Sequence, residues 1–307
     1  MQTILGSGGG IGTPLARELK KYTDRIRLVS RNPKKVNETD ELFPADFNDF
    51  SQIDKAIEGS DVVYVTVGFE YKLSVWQKTW PAFMQAVIAA CKKHKAKLVF
   101  FDNVYMYAAS AIPHMTETSP VDPPSKKGIV RKQLQDMIMQ ETGKDGFHAL
   151  IARAADFYGP ENKNSGLGIM VVDNLKKGKK AQAFGNIDKI HTYTYTPDAA
   201  KATAQLGNAP DAYDQVWHVP TMHEKLTNRQ WAELIAMEMK ADLKFQMVPA
   251  WMMKVLGLFI PVMREFPEMV YQYETDYVFD SSKFEKRFGW GATKPEEGIK
   301  QMLGENS

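Results

Sequence analysis

Short apolar runs alternate with amphipathic ones over the first 155 or so residues, the pattern of β-α-β units feeding a parallel sheet. Thr3-Ile4-Leu5 reads as a first strand, residues 13–21 as the helix behind it, and 26–29 as a second strand. Residues 49–58 put Phe50, Ile53 and Ile57 on one helical face. The stretch 61–67 is almost continuously apolar, as suits a central strand buried on both faces. A long helix follows over 74–93, although it carries Pro81. A strand over 97–101, a helix over 130–141 and a strand over 148–152 continue the alternation.

Beyond Tyr158-Gly159-Pro160 the regularity weakens. Residues 1–158 are expected to form a Rossmann unit, with its doubly wound parallel sheet completed by about 186–220, where 215–219 looks like a late strand. Residues 159–185 and 221–307 are expected to form a smaller C-terminal lobe. Within that lobe 227–239 fits a helix with Thr227 as its N-cap. Aromatic and methionine side chains crowd 251–277, as a core does, and an apolar lobe over a nucleotide site is where a substrate docks. The stretch 251–263 is the most lipid-like, but Lys254 and Pro261 interrupt it and it is too short to span a bilayer.

Composition narrows the classes. The chain has 307 residues, 44% hydrophobic and 25% charged, which suits a soluble globular protein with a substantial core. Lys and Arg total 39 against 37 acids, so no net field points to nucleic acid. The basic run Lys176-Lys177-Gly178-Lys179-Lys180 reads as a solvated helix end. Cys91 is the single cysteine, which excludes an internal disulfide, and it is expected to be buried and inert. No signal peptide is visible, so a cytoplasmic protein is expected. The histidines have no metal-ligand spacing, His218, His223 and Glu224 included. A serine-hydrolase elbow and a P-loop ending are both missing.

The most informative stretch is Ile4-Leu5-Gly6-Ser7-Gly8-Gly9-Gly10-Ile11-Gly12, between the first strand and the first helix. Gly6, Gly9 and Gly12 are spaced three apart. One glycine permits a sharp turn, one lets bare main chain approach a pyrophosphate, and one lets helix and strand pack closely. The helix N-terminus then carries the phosphates. A dinucleotide, NAD or NADP, follows, with Gly6, Gly9, Gly10, Ile11 and Gly12 as its cradle. The second strand ends Val29-Ser30-Arg31-Asn32-Pro33, without the acid that would bind both ribose hydroxyls. Arg31 can pair with a 2′-phosphate and Ser30 can donate a hydrogen bond, so NADP is expected over NAD.

On these motifs the chain resembles the extended and atypical short-chain dehydrogenase/reductases, the group that holds the NAD-dependent epimerases and dehydratases. Ala45-Asp46-Phe47, Val65-Thr66-Val67-Gly68, Arg153-Ala-Ala-Asp-Phe-Tyr158-Gly159-Pro160, Tyr195-Thr196-Pro197-Asp198 and Phe279-Asp280-Ser281-Ser282-Lys283 fall in that family's order, over nearly all of the chain. The resemblance implies that Asp46 contacts the adenine and that Gly68 lines the path to the nicotinamide ribose. It also implies a tyrosine and a lysine at i,i+4 on one helix face, helped by a Ser or Thr at the end of the fifth strand.

Here that pattern breaks. With Lys132 as the family lysine, Gly128 stands where the tyrosine belongs, and Asn103 replaces the hydroxyl residue. Lys132 would then hold the nicotinamide ribose. Tyr105 and Tyr107 follow the fifth strand, and Tyr105, nearer to Asn103, is the first candidate for a displaced proton donor entering the room left at Gly128. His191, Tyr193 and Tyr195 alternate along a strand and stand in reserve. Asp136 and Glu141 read as solvated helix faces. Arg153, Asn164, Arg264 and Glu265 are polar residues in or near the lobe, with surface placement as the default.

Three functions fit: an NADP(H)-dependent oxidoreductase acting on a carbonyl or activated double bond of a small organic molecule, a non-catalytic NADP(H) sensor, and a nucleotide-sugar epimerase or dehydratase. The partner is a small-molecule substrate, with no nucleic acid and no membrane, and a homodimer is the commonest symmetric option.

Overall fold

A computed structural model describes residues 1–162, 165–249 and 264–304. β1 (Gln2–Leu5) leads through the glycine turn into α1 (Gly12–Leu19). Then come β2 (Ile26–Ser30), β3 (Glu41–Pro44), α2 (Phe50–Ile57), β4 (Val62–Val65), α3 (Leu73–His94) and β5 (Lys97–Asp102). The middle of the chain forms α4 (Lys126–Glu141), β6 (Ala149–Arg153), β7 (Asp156–Tyr158), α5 (Asp173–Lys176), β8 (Ala181–Ala183) and β9 (Tyr193–Tyr195). It continues through α6 (Thr196–Gly207), β10 (Gln215–His218), α7 (Asn228–Glu238) and β11 (Phe245–Met247), with later helices at Ser282–Phe288 and Pro295–Gly304.

Seven strands make one parallel sheet in the order β10-β6-β5-β4-β1-β2-β3. The chain direction across the sheet reverses between β1 and β4, which opens a crevice at their C-terminal ends. Leu5 is in register with Val29 on one side and Val65 on the other. Period-two alternation sorts the side chains. Leu5, Val63 and Val65 pack with Trp80, Phe83 and Val87 of α3 and with Leu134 and Ile138 of α4. Ile4, Val62 and Tyr64 pack with Leu15 and Leu19 of α1 and with Ala199 and Leu206 of α6. Each such side chain contributes about 1.5–3 kcal/mol by leaving water, so the sheet is a rigid platform for the loops at its C-terminal edge.

Two boundaries differ from the sequence reading. α4 starts at Lys126 rather than 130, capped by Ser125, whose hydroxyl accepts from the Gly128 N–H at 3.0 Å. Two lysines and a glycine in its first turn hide the apolar period. Within 186–220 β10 joins the main sheet, but β9 pairs with β7 in a separate ribbon. The lobe gathers Tyr158, Leu175, Trp231, Ile235, Ile299 and Met302 into its own cluster. Thr227 caps α7 in a reciprocal box with Gln230. Lys176 to Lys180 are exposed, and Cys91 is buried, its thiol pushed well up by burial. Among the described residues no helix is long and apolar enough to cross a membrane.

Candidate functional site

The glycines of the first turn serve two different needs. Gly6 has φ +100°, and a Cβ there would lie 2.7 Å from the Val67 nitrogen; a Cβ at Gly12 would lie 2.4 Å from the Gly6 carbonyl oxygen. Both are required by the fold itself. Gly8 and Gly9 are not: a Cβ at Gly8 meets nothing within 4 Å, one at Gly9 meets the Gly6 oxygen at 3.9 Å, and neither has a left-handed φ. Their bare main chain is left open to approach from outside the chain. They stand just before the first turn of α1, where N–H groups and helix dipole favour an anion, so the loop fits a diphosphate. The spacing rule passes over Gly8, which the open space around it reveals. Gly10 lies against Asn162, 3.4 Å from a built Cβ, so the turn after β7 leans on the loop. Ile11 precedes α1 and is buried.

At the end of β2, Ser30 is half-buried and its carbonyl accepts from the Ala45 N–H at 2.9 Å. Arg31 is exposed, and among the described residues no side chain pairs with it. Lys34 is exposed three residues on. No carboxylate stands in Ser30-Arg31-Asn32-Pro33. Asp46 is exposed just after β3, and its Oδ1 accepts from the Asn48 backbone at 3.0 Å and side-chain amide at 2.8 Å, the bonds of a turn-former. Gly68 follows β4 in open space.

The reacting end of the crevice departs most from expectation. A Cβ at Gly128 would lie 2.3 Å from the Tyr105 carbonyl oxygen and 2.6 Å from Pro123, so the glycine admits backbone and leaves no room for a phenol. The inward i,i+4 pair on α4 is Lys127 and Arg131, both buried. Lys132, one residue further round the helix, is partly exposed and pairs with Asp136 at 2.5 Å. Lys127 Nζ pairs with Glu265 at 2.5 Å and Glu268 at 2.7 Å and lies 4.7 Å from the centre of the Tyr71 ring. Glu265 also accepts from the Leu73 N–H, and Glu268 from the Lys126 N–H. Glu265 is thus a half-buried anchor between the lobe and two helix starts.

Arg131 lies over the Trp80 and Trp76 rings, 4.3 and 4.6 Å from their centres, and 3.4 Å from Asp102. Arg153, fully buried, lies 3.9 Å from the other oxygen of Asp102, bonds Gln135 and covers the Tyr107 ring. Burial raises the Asp102 carboxyl and lowers the Arg131 guanidinium, while their mutual attraction opposes both. Asn103 is half-buried and its Oδ1 accepts from the Tyr105 N–H at 3.0 Å. The Tyr105 ring stacks on Trp76. Burial first, and the Asp156 charge second, push the Tyr105 phenol well above the ordinary tyrosine value. Tyr107 is spent elsewhere: its hydroxyl donates to His218 Nε2 at 2.7 Å, because His218 Nδ1–H is committed to the Asp280 carbonyl.

Across the crevice Asp156 Oδ2 accepts from His191 Nε2 at 2.9 Å and from the Tyr273 hydroxyl at 3.1 Å. The His191 ring is stacked between Tyr273 and Tyr277. Tyr193 donates to Asn228 at 2.8 Å and Tyr195 to Gln301 at 2.5 Å, while His191 meets the Asp156 carboxylate. Tyr193, Tyr273, Asn228, Gln182, Phe184 and Phe245 are among the residues lining a cavity of about 30 Å³ in the lobe. Asn164 lies outside the described residues, and Arg264 is exposed. Asp156 and Lys127 were passed over in the sequence: one sits in a family motif, the other in a lysine-rich first turn.

A family profile described as the NAD dependent epimerase/dehydratase family matches residues 3–219, and the chain belongs to that family. A 3beta-hydroxysteroid-dehydrogenase/decarboxylase isoform from Arabidopsis thaliana is 22% identical over 288 residues, covering 84% of this chain and 50% of its own length. The chain thus spans about half the length of that curated relative. Solved structures share the fold. A dTDP-glucose 4,6-dehydratase double mutant from Streptomyces venezuelae with NAD bound superposes at TM-score 0.82 and 15% identity, over 99% of this chain and 96% of that one. A UDP-glucuronic acid 4-epimerase from Bacillus cereus, in complex with its sugar nucleotide and NAD, gives 0.81 and 14% identity over 99% and 98%. A Thermus thermophilus UDP-glucose 4-epimerase with NAD gives 0.79 and 16% identity over 99% and 98%.

Proposed function

We propose that this member of the NAD dependent epimerase/dehydratase family is an NADP(H)-dependent oxidoreductase that reduces a carbonyl or activated double bond of a small organic substrate. The reading is carried by the junction of a bare loop at Gly8 and Gly9 with a strand end that offers Arg31, without a side-chain partner among the described residues, and no acid. Gly6, Gly9, Gly10, Ile11 and Gly12 would hold the diphosphate, Ser30 and Arg31 the 2′-phosphate, Asp46 the adenine, and Gly68 the path to the nicotinamide. Once bound, the dinucleotide supplies the hydride. Asn103 and the Tyr105 hydroxyl would orient the substrate oxygen. Tyr105 fits a donor that keeps its proton rather than one that gives it up, since a general acid works best with a pKa near the working pH.

A sugar-nucleotide epimerase is less well supported. Epimerisation needs a reversible proton relay, and a buried Lys127 and Arg131, not a tyrosine and a lysine, form the i,i+4 pair that α4 turns inward. The sensor reading gains from the pair that α4 turns inward being Lys127 and Arg131 rather than a tyrosine and a lysine.

The test is a calorimetric titration of wild type and Arg31→Ala with NADPH and NADH. NADPH is expected to bind at least about tenfold tighter to wild type, a difference of about 1.4 kcal/mol, and Arg31→Ala to erase most of that margin. Equal wild-type affinities would overturn the NADP assignment. NADPH consumption with any member of a panel of aldehydes, ketones and enones separates the enzyme from the sensor.

A further inference from the structure

A reduction needs a proton as well as a hydride, and the usual helix pair cannot supply it here, because Lys127 is held by two carboxylates and Arg131 by Asp102. Asp156 stands three residues beyond the end of β6, at the same sheet edge as Asn103 and Tyr105 at the end of neighbouring β5. We propose that Asp156 is the catalytic residue that exchanges a proton with the substrate oxygen through its Oδ1, while His191 and Tyr273 are positioning residues that hold its Oδ2. This rests on the reductase reading and names the residue that completes it.

Three observations carry the assignment. Burial ranks the pair: the His191 side chain is 1% exposed and that of Asp156 26%, so the carboxylate is the member that meets the crevice and the imidazole the one behind it. His191 is clamped, its plane within 14° of Tyr273 and 6° of Tyr277, and it cannot swing out to a substrate. Both donors converge on Oδ2, at 2.9 and 3.1 Å, and no described residue hydrogen-bonds Oδ1. Nε2 donates to the carboxylate, so Nδ1 is the bare nitrogen, and it is buried without a partner.

In the direction of oxidation, Oδ1 takes the proton of the substrate hydroxyl while the C–H hydrogen leaves with its electron pair as hydride to the oxidised nicotinamide. The products are a carbonyl, a reduced dinucleotide and a carboxylic acid that returns its proton to water. Reduction runs the same transfers backwards.

The experiment compares wild type, Asp156→Asn, Asp156→Glu and Tyr273→Phe. Asp156→Asn is expected to bind NADPH within about twofold of wild type and to lose at least about a hundredfold in kcat on the carbonyl panel, the scale of a lost general acid–base. Asp156→Glu recovers part of that loss. Tyr273→Phe keeps the carboxylate but removes one of its bonds, and is expected to lower kcat about tenfold with KM nearly unchanged. Independent of turnover, ¹⁵N NMR of wild type is expected to show His191 protonated at Nε2 and bare at Nδ1. An Nδ1–H tautomer, or an Asp156→Asn variant with wild-type kcat, overturns the assignment while leaving the reductase reading intact. A wild type that binds NADPH yet reduces nothing in the panel takes down the reductase reading, and this inference with it.

Discussion

Replacing Gly9 and Gly12 by alanine, one at a time, separates what the ligand needs from what the fold needs. In the unliganded protein a methyl at Gly9 enters open space, 3.9 Å from the Gly6 oxygen, with a φ that alanine accepts. Removing glycine's freedom from the unfolded chain should then stabilise by about 0.4–1 kcal/mol. The same methyl stands where the diphosphate must approach main chain, so NADPH affinity should fall at least about tenfold, or about 1.4 kcal/mol. At Gly12 the added carbon would sit 2.4 Å from the Gly6 oxygen and 2.9 Å from the Ser7 Cα. Both neighbours are backbone and cannot rotate away, so the cost belongs at or above the 1–3 kcal/mol of about one overpacked group. With about 2–4 °C lost per kcal/mol in a chain of comparable size, Gly12→Ala should melt several degrees below wild type. Thermal unfolding without ligand and calorimetry with NADPH read the two effects separately. A Gly9→Ala protein that melts several degrees low, or that binds NADPH like wild type, would refute the division of labour among these glycines.

The two lysines of α4 should behave oppositely. Lys127→Met leaves Glu265 and Glu268 side by side without their cation and should cost about 3 kcal/mol in urea unfolding, whereas Lys132→Met, which breaks an exposed pair with Asp136, should cost under about 0.5 kcal/mol. Similar losses would show that Lys127 is not the buried partner of Glu265 and Glu268. His218 should remain uncharged in the folded protein: burial, and then the nearby Arg153, lower its pKa to about 3. The unfolded chain takes up this proton near pH 6.5 and the folded one does not, so the stability concerned is present above about pH 6.5 and is lost as pH falls towards 3, by up to about 1.4 kcal/mol per pH unit. The His218 Cε1–H resonance is expected to hold its neutral position at pH 5; a midpoint near 6.5 would refute this.

What could be read from residue order was whatever depends on neighbours in the chain. The alternation of apolar runs gives the strands, because a parallel sheet buries each strand by itself, and Thr227 with Gln230 gives the α7 cap, because both partners lie within one turn. The glycine loop was legible for the same reason, although spacing alone could not divide Gly6 and Gly12, which the fold demands, from Gly8 and Gly9, which it does not. α4 was misread because its first turn carries charge on the side that faces the core. Nothing local marks Lys127 as buried, since the carboxylates that make its burial tolerable lie 138 and 141 residues later. Gly128 looked like a missing side chain, when it is where the Tyr105 backbone crosses the helix. The same holds for Asp156, whose partners His191 and Tyr273 lie 35 and 117 residues away on the lobe side. A pair drawn from distant segments leaves no spacing behind in the sequence, so Asp156 and His191 are brought together only in the assembled fold.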